Sequence, residues 1–189
     1  MLSLKPLMSI KNVDFEFENT LVKIVVSRDC PEIELVGLRV GPFEEGREYE
    51  VRFWVAQELE KAGIGRFREE EMLDAVKLHK IHWKERVQPV NQVSSLPDNF
   101  YPKLRRYLAS AKEEIAKSAE KMKEYEKATR LIHDIVDCRL KKITSLASSP
   151  AQTSQVLQNL AREERLLYDR LYEIINEWKS NIVKGGDKS

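Results

Sequence analysis

The chain has 189 residues, of which 42% are hydrophobic and 33% are charged. This length fits one large domain or two small ones, and the composition is typical of a folded protein with a heavily charged surface. Because 32 basic and 31 acidic residues leave a formal net charge of +1, the balance argues against a nucleic-acid protein that acts mainly by neutralising phosphates.

Two cysteines, Cys30 and Cys138, lie far apart without metal or redox spacing, which indicates free thiols in a reducing compartment. No apolar run approaches the roughly 20 residues that span a bilayer. The apolar region at the N-terminus is too short for a secretory signal. We therefore expect a soluble, cytoplasmic protein without cofactors. The sequence leaves open whether Met1 or Met8 is the native start.

The first 65 residues predict a small β-rich domain. Val13, Phe15 and Phe17 alternate with acidic residues, and the β-branched run at 21–26 follows after a short polar break. This period of two predicts a hairpin. Short apolar segments up to residue 51 bring the expected total to four or five strands.

A turn and a short helix close this predicted domain. Gly41 lets the backbone leave a strand, Pro42 fixes φ as a turn residue does, and Phe43 is directed towards whatever the turn packs on. A helix is expected to begin at 53 and to end at Gly63. We predict that Pro42, Phe43 and Trp54 dock the sheet domain on the helical domain or a partner, and core positions for Phe43 and Trp54 remain the alternative.

Residues 66–189 predict an all-α domain, so the expected fold class is α+β. Its first helix is expected at 66–87, with acidic residues at the start, basic residues at the end and apolar positions at Met72, Val76, Ile81 and Trp83. The steps of three between His79, His82 and Glu85 fit either a metal site or a packed or solvated histidine pair. No matching further ligands follow.

After a loop at 88–99, residues 103–147 carry a continuous helical pattern. One straight helix would be about 65–70 Å long, so we predict a break within 117–127, where the apolar content falls. Asp134, Asp137 and Arg139 lie among apolar neighbours, which favours ion pairs in or beside a helix bundle over acid-base chemistry.

A last helix is predicted from 151 to about 182, before a frayed tail from residue 184. Glu164 interrupts its apolar stripe, so we expect that carboxylate to meet a basic group. The stripes of the two long helices exceed what one protomer can cover. The residues predicted for packing within and between subunits are Leu157, Leu160, Leu167, Leu171, Ile175 and Trp178, with Ile132, Ile135, Val136, Ile143 and Leu146.

One ordered set of motifs resembles a known family. Residues 38–59, LRVGPFEEGREYEVRFWVAQEL, contain a strand, a Gly-Pro-Phe turn and a Trp-bearing helix, and EEEML at 69–73, LPDNFY at 96–101 and DIVDCRLKKI at 134–143 follow in order. Over residues 10–147 this set resembles a GINS replication-factor subunit. The sheet-first order is similar to the archaeal subunit type that corresponds to partner-of-Sld-five subunits two and three of eukaryotes.

The resemblance implies a non-catalytic, nucleoid-associated subunit of the replisome. Such a subunit joins a sister GINS subunit in a two-plus-two heterotetramer, which binds MCM helicase and a RecJ-like protein and supports DNA unwinding at the fork. Any contact with DNA would be indirect.

Two other functions remain open from the residues alone. A helical DNA-binding regulator would use the basic doublets Arg105, Arg106, Lys141 and Lys142. A small hydrolase would use His79, His82, Asp134 or Asp137. The near-neutral charge argues against the first, and the missing ligand constellation argues against the second.

Overall fold

The structure, a computed structural model, describes residues 5–35, 37–149 and 154–184. Its helices are α1 (Lys5–Glu18), α2 (Phe53–Lys61), α3 (Ala75–Val87), α4 (Phe100–Glu114), α5 (Ala119–Ser148), α6 (Ser154–Leu157) and α7 (Arg162–Lys184). Its strands are β1 (Leu21–Val26), β2 (Ile33–Leu35), β3 (Leu38–Val40), β4 (Glu48–Arg52) and β5 (Gly65–Phe67). A small strand-rich region followed by a helical bundle confirms the α+β fold class.

The chain divides into two compact units. One consists of Lys11–Leu73, and the other contains the residues from Asp74 onward together with the start of the chain up to Ile10. The division lies after Leu73 rather than at residue 65, because β5 belongs to the sheet of the first unit.

Strand β1 is the centre of the first unit. It pairs antiparallel with β4 on one side and with β5 on the other, and its alternate residues Val22, Ile24 and Val26 are buried. A separate hairpin joins β2 to β3. The core of this unit contains Phe17, Val22, Ile24, Val26, Phe43, Phe53, Val55, Ala56, Leu59 and Phe67.

The strand predicted at residues 13–17 is wrong, because this segment is part of α1. Val13 and Phe17 are buried, whereas Phe15 between them is 67% exposed. A spacing of four fits both a strand and a helix, and the alternation with acidic residues favoured the strand. In the structure, Val13 and Phe17 lie on one face of the helix, and Phe17 packs against Phe53 with ring centroids 4.3 Å apart.

The helix predicted at 66–87 begins nine residues late, at Ala75. Gly65–Phe67 is strand β5, and the acidic segment Glu69–Glu71 is a short 3₁₀ turn. The helix starts where Asp74 caps it, since the Asp74 carboxylate accepts a hydrogen bond from the Lys77 backbone N–H at 2.7 Å.

Replacement of Asp74 by alanine is expected to lower the free energy of unfolding by about 1 kcal/mol, the usual value of an N-cap. Urea unfolding followed by circular dichroism measures this change. Asp98→Ala is the matched control, because Asp98 is exposed and lies just before the N-cap residue of α4. Equal stability of both variants would show that the Asp74 cap contributes nothing.

Helix α5 is the centre of the second unit and packs against α3, α4 and α7. The break predicted within 117–127 is confirmed, because α4 ends in a 3₁₀ turn at Ile115–Lys117 and α5 begins after Ser118. The Ser118 hydroxyl accepts a hydrogen bond from the Lys121 backbone N–H at 3.2 Å. The Ser118 cap therefore begins a new helix at a point where the apolar pattern of the sequence continues.

The single last helix predicted from 151 to about 182 is wrong in its first part. Residues 158–161 separate α6 from α7, and Leu160 in this connection is buried in the bundle. The Glu164 carboxylate accepts a hydrogen bond from the Ala161 backbone N–H at 2.8 Å, as in a capping box. Residues 150–153, and the predicted tail from 185 on, lie outside the described residues.

Candidate assembly surface

A buried pair of opposite charges joins α5 to α7. Arg139 and Glu164 are almost inaccessible to solvent. Arg139 donates from Nε to Glu164 Oε1 at 2.7 Å and from Nη2 to Oε2 at 2.5 Å, which is the bidentate geometry that strengthens such pairs. Tyr101 of α4 donates its hydroxyl proton to Glu164 Oε1 at 2.6 Å. The prediction that Glu164 meets a basic group is confirmed.

A second buried carboxylate extends this network to α3. Arg139 Nη1 donates to Glu85 Oε1 at 3.0 Å and to the Ser94 carbonyl at 2.8 Å. Lys142 donates to Glu85 Oε2 at 2.8 Å, and the Ser94 hydroxyl donates to Glu85 Oε1. Two cations therefore neutralise two carboxylates within the buried core, which is the condition for tolerating such charges there.

The network sets the charge of its members. Burial raises the pKa of the Glu85 carboxyl, but hydrogen bonds from Lys142 and Ser94 and the charges of Arg139 and Lys142 outweigh it, so this pKa lies below its ordinary 4.5. Burial and the Glu164 carboxylate raise the pKa of Tyr101 well above its usual range. Glu85 is therefore ionised and Tyr101 neutral at pH 7.

Glu85 is expected to contribute a pH-dependent stability. Because its folded pKa is lowered, its contribution is present above pH 4.5 and is lost as the pH falls below that value. Glu85→Gln should flatten the fall in unfolding free energy as the pH drops below 4.5, by up to about 1.4 kcal/mol per pH unit. Urea titrations at each pH measure the slope, and parallel curves for wild type and variant would contradict this role.

An open groove of about 340 Å³ lies between α4, α5 and α7, with Tyr101, Arg139 and Glu164 of the network among its lining residues. Its remaining lining is mostly apolar, with charged residues among it: Ile10, Arg105, Val136, Leu140, Ile143, Glu163, Leu166, Leu167 and Arg170. The buried ion pairs thus support the groove from within the bundle, while aliphatic side chains form most of its surface.

An exposed apolar stripe continues from this groove along α7. Leu167, Ile174, Trp178 and Ile182 are exposed at steps of seven and four, which places them on one face of the helix. Val136 and Leu140 of α5 are exposed at a step of four as well. Contiguous exposed apolar surface is typical of sites that interact with another protein.

The structure divides the predicted packing residues into three groups. Those buried in the bundle are Ile132, Ile135, Ile143, Leu146 and Leu160. Those half-buried are Leu157, Leu171 and Ile175. The exposed ones, Val136, Leu167 and Trp178, are the members whose surface is accessible to another subunit.

The three side chains predicted for docking of the sheet domain have different surroundings. Phe43 is buried in the core of the first unit, and Trp54 is half-buried against the same core. Pro42 is exposed. Gly41 has a φ of 96°, and a Cβ there would lie 3.2 Å from the Phe43 ring, so this turn needs glycine to seat Phe43.

Among the described residues, those that a hydrolase or a DNA-binding regulator would use form neither a metal site nor a free basic patch. His82 Nε2 lies 3.8 Å from Asp134 Oδ2, but the described parts of the chain contain no group of three His, Cys, Asp or Glu residues placed for a metal ion. Lys142 is buried on Glu85, and Arg105 pairs with Glu163 at 3.5 Å.

Sequence reasoning missed Glu85, Ser94 and Tyr101 as partners in the network. Glu85 follows two histidines at a spacing that fits a metal ligand, yet it also follows Leu78 by seven residues. That spacing puts Glu85 on the same helical face as a fully buried leucine, and this was the available signal. The sequence holds no comparable signal for Ser94 or Tyr101.

Comparison with known proteins identifies the fold of the second unit. A family model of the GINS complex protein helical bundle domain matches residues 72–183, which is more than half of the chain. The chain belongs to the GINS family. A model of the PSF2 N-terminal domain matches residues 9–66, and the human DNA replication complex GINS protein PSF2 is 29% identical over 143 residues, covering 75% of this chain and 72% of the human protein.

GINS membership makes this chain a non-catalytic component of a DNA replication complex, with other GINS subunits as partners. The exposed surface of α5 and α7 belongs to the matched helical bundle domain. In the part of the chain that the structure describes, no helix is both long enough and apolar enough to cross a bilayer.

Proposed function

We propose that this GINS subunit assembles with a sister subunit into a two-plus-two tetramer through the groove between α4, α5 and α7 and the apolar stripe of α7. The observation that carries the proposal is the exposure of Val136, Leu140, Leu167 and Trp178 on adjoining helices. Burial of such residues against a neighbouring helix contributes about 25 cal/mol per Å² of apolar surface.

The tetramer would in turn bind MCM helicase and a RecJ-like protein and support unwinding at the replication fork, in the DNA-containing region of the cell. The chain's role is to hold other proteins together. Its first unit, with a core of its own, would act as a separate docking module.

Native mass spectrometry of the chain coexpressed with a sister GINS subunit tests the assembly. We expect a species with two copies of each chain. A chain that stays monodisperse and folded, and that does not bind the sister subunit, would refute the assembly.

Immobilised tetramer should retain purified MCM helicase, and the isolated chain should retain less. Equal retention of the helicase by the tetramer and by the isolated chain would show that helicase binding does not require assembly.

A further inference from the structure

Helix α3 carries a second exposed apolar stripe, formed by residues other than those of the groove. Val76, Trp83 and Val87 are 62%, 68% and 64% exposed. At about 100° per residue they lie within roughly 40° of one another around the helix. Leu78 and Glu85, which are buried in the bundle, lie on the opposite side, so the stripe is the outward face of α3.

Cations flank this stripe on both sides. Lys80 and Lys84 lie on one side of Trp83 and Arg86 lies on the other, and all three are exposed. Among the described residues, none of these three side chains makes an ion pair. The single carboxylate within α3, Glu85, is buried with Arg139 and Lys142, so the outward face presents positive charge alone.

We propose that this face binds an amphipathic helix of a partner protein whose apolar stripe is flanked by acidic residues. The stripe from Val76 to Val87 is about 16 Å long at 1.5 Å per residue, which matches about three turns of a partner helix. An apolar row with charges on both sides is how helices select partners of opposite charge. Trp83, a residue type that often dominates binding energy, lies within the row.

Single-stranded nucleic acid is the competing ligand for a face with cations and an aromatic side chain. Such strands stack successive bases on several aromatic rings. This face has one aromatic residue, with valines along the helix on both sides of it, and valines offer no stacking surface. Aliphatic side chains with a cationic border favour an acidic helix.

The test uses the full chain and two labelled helical peptides of three heptads, with Leu at positions a and d and either Glu or Lys at e and g. Fluorescence anisotropy should show that the chain binds the Glu peptide and not the Lys peptide. Trp83→Ala should weaken binding at least about 30-fold. Lys80→Glu with Lys84→Glu should lose the Glu peptide and gain the Lys peptide.

Lys123→Glu with Lys127→Glu makes the same change of net charge on exposed positions of α5 and should leave binding of the Glu peptide unchanged. Leu167→Asp in the groove should leave it unchanged as well, so this result is separate from the tetramer. Binding that depends on Leu167 but not on Trp83 would overturn the proposal. Binding of an oligo-dT strand that depends on Trp83 and Lys84, while binding of the Glu peptide does not, would also overturn it. Self-association of the chain through Trp83 would do the same.

Discussion

Replacement of Arg139 by methionine is expected to lower the free energy of unfolding by about 3–5 kcal/mol, the usual effect of removing one partner from a buried ion pair. The side chain lies inside the bundle and donates to both Glu164 and Glu85. Methionine fills much of the same space but leaves Glu164 without a cation, while Glu85 keeps Lys142. The uncompensated carboxylate, rather than a cavity, dominates the loss.

Urea unfolding followed by circular dichroism at 222 nm measures the change. Arg130→Met on the same helix is the matched control, since Arg130 is exposed and pairs with Glu126 at 3.7 Å across one helical turn. Such surface pairs contribute about 0.3–0.5 kcal/mol. Similar losses for the two variants would contradict a stabilising role of the buried network.

The double variant Arg139→Met with Glu164→Leu separates two explanations of the loss. If the unpaired carboxylate is responsible, its removal should recover part of the stability, because apolar residues of similar volume often replace a buried pair at little cost. Recovery should be incomplete, since Glu164 also accepts hydrogen bonds from Tyr101 and from the Ala161 N–H. Additive losses would instead show that Arg139 and Glu164 act independently.

The sequence predicted that Arg139 and Glu164 take part in ion pairs, but not that they pair with each other. A carboxylate within an apolar stripe requires a cation, and on that ground alone a basic partner for Glu164 was expected. Which cation serves depends on how α5 and α7 are aligned, and single-helix periodicity carries no information about that alignment. Arg139, equally surrounded by apolar neighbours, was the partner.

Short segments were predicted least well, for a physical reason. Residues 13–17 fit both a strand and a helix, because a step of four is common to periods of 2 and 3.6, and packing of Phe17 on Phe53 decides between them. In α3, Val76 and Trp83 were expected as apolar packing positions but are exposed, while Leu78 and Glu85 are buried. Hydrophobicity does not tell a packed face from a docking face when both are apolar.

The predicted assembly residues show the same ambiguity. Ile135 and Trp178 were predicted together on periodicity, yet Ile135 is fully buried in the bundle and Trp178 is 63% exposed. An apolar stripe on a helix indicates that its side chains are to be buried. The fold decides whether the same chain or another one buries them. The structure thereby divides the predicted packing residues into a buried core and an exposed surface, and the two groups can be mutated separately.

The combined substitution Leu140→Asp with Leu167→Asp should reduce the affinity for the sister subunit at least about 100-fold. Both side chains line the groove, and both are exposed in the single subunit. Truncation of one central, well-packed interface residue commonly costs about 2 kcal/mol, which is roughly 30-fold in affinity. A carboxylate in that position must in addition lose its hydration without gaining a partner.

Biolayer interferometry with immobilised sister subunit measures this affinity, and Phe15→Asp with Met122→Asp is the matched control. Phe15 and Met122 are exposed and do not line the groove, so this variant adds the same charge and should bind as wild type does. Surface substitutions usually change stability by less than about 0.5 kcal/mol, so the control variant should keep the wild-type unfolding midpoint, and the midpoint of the groove variant is measured in the same way. Loss of binding with an unchanged midpoint would place the interface at the groove, whereas full binding by the groove variant would exclude it.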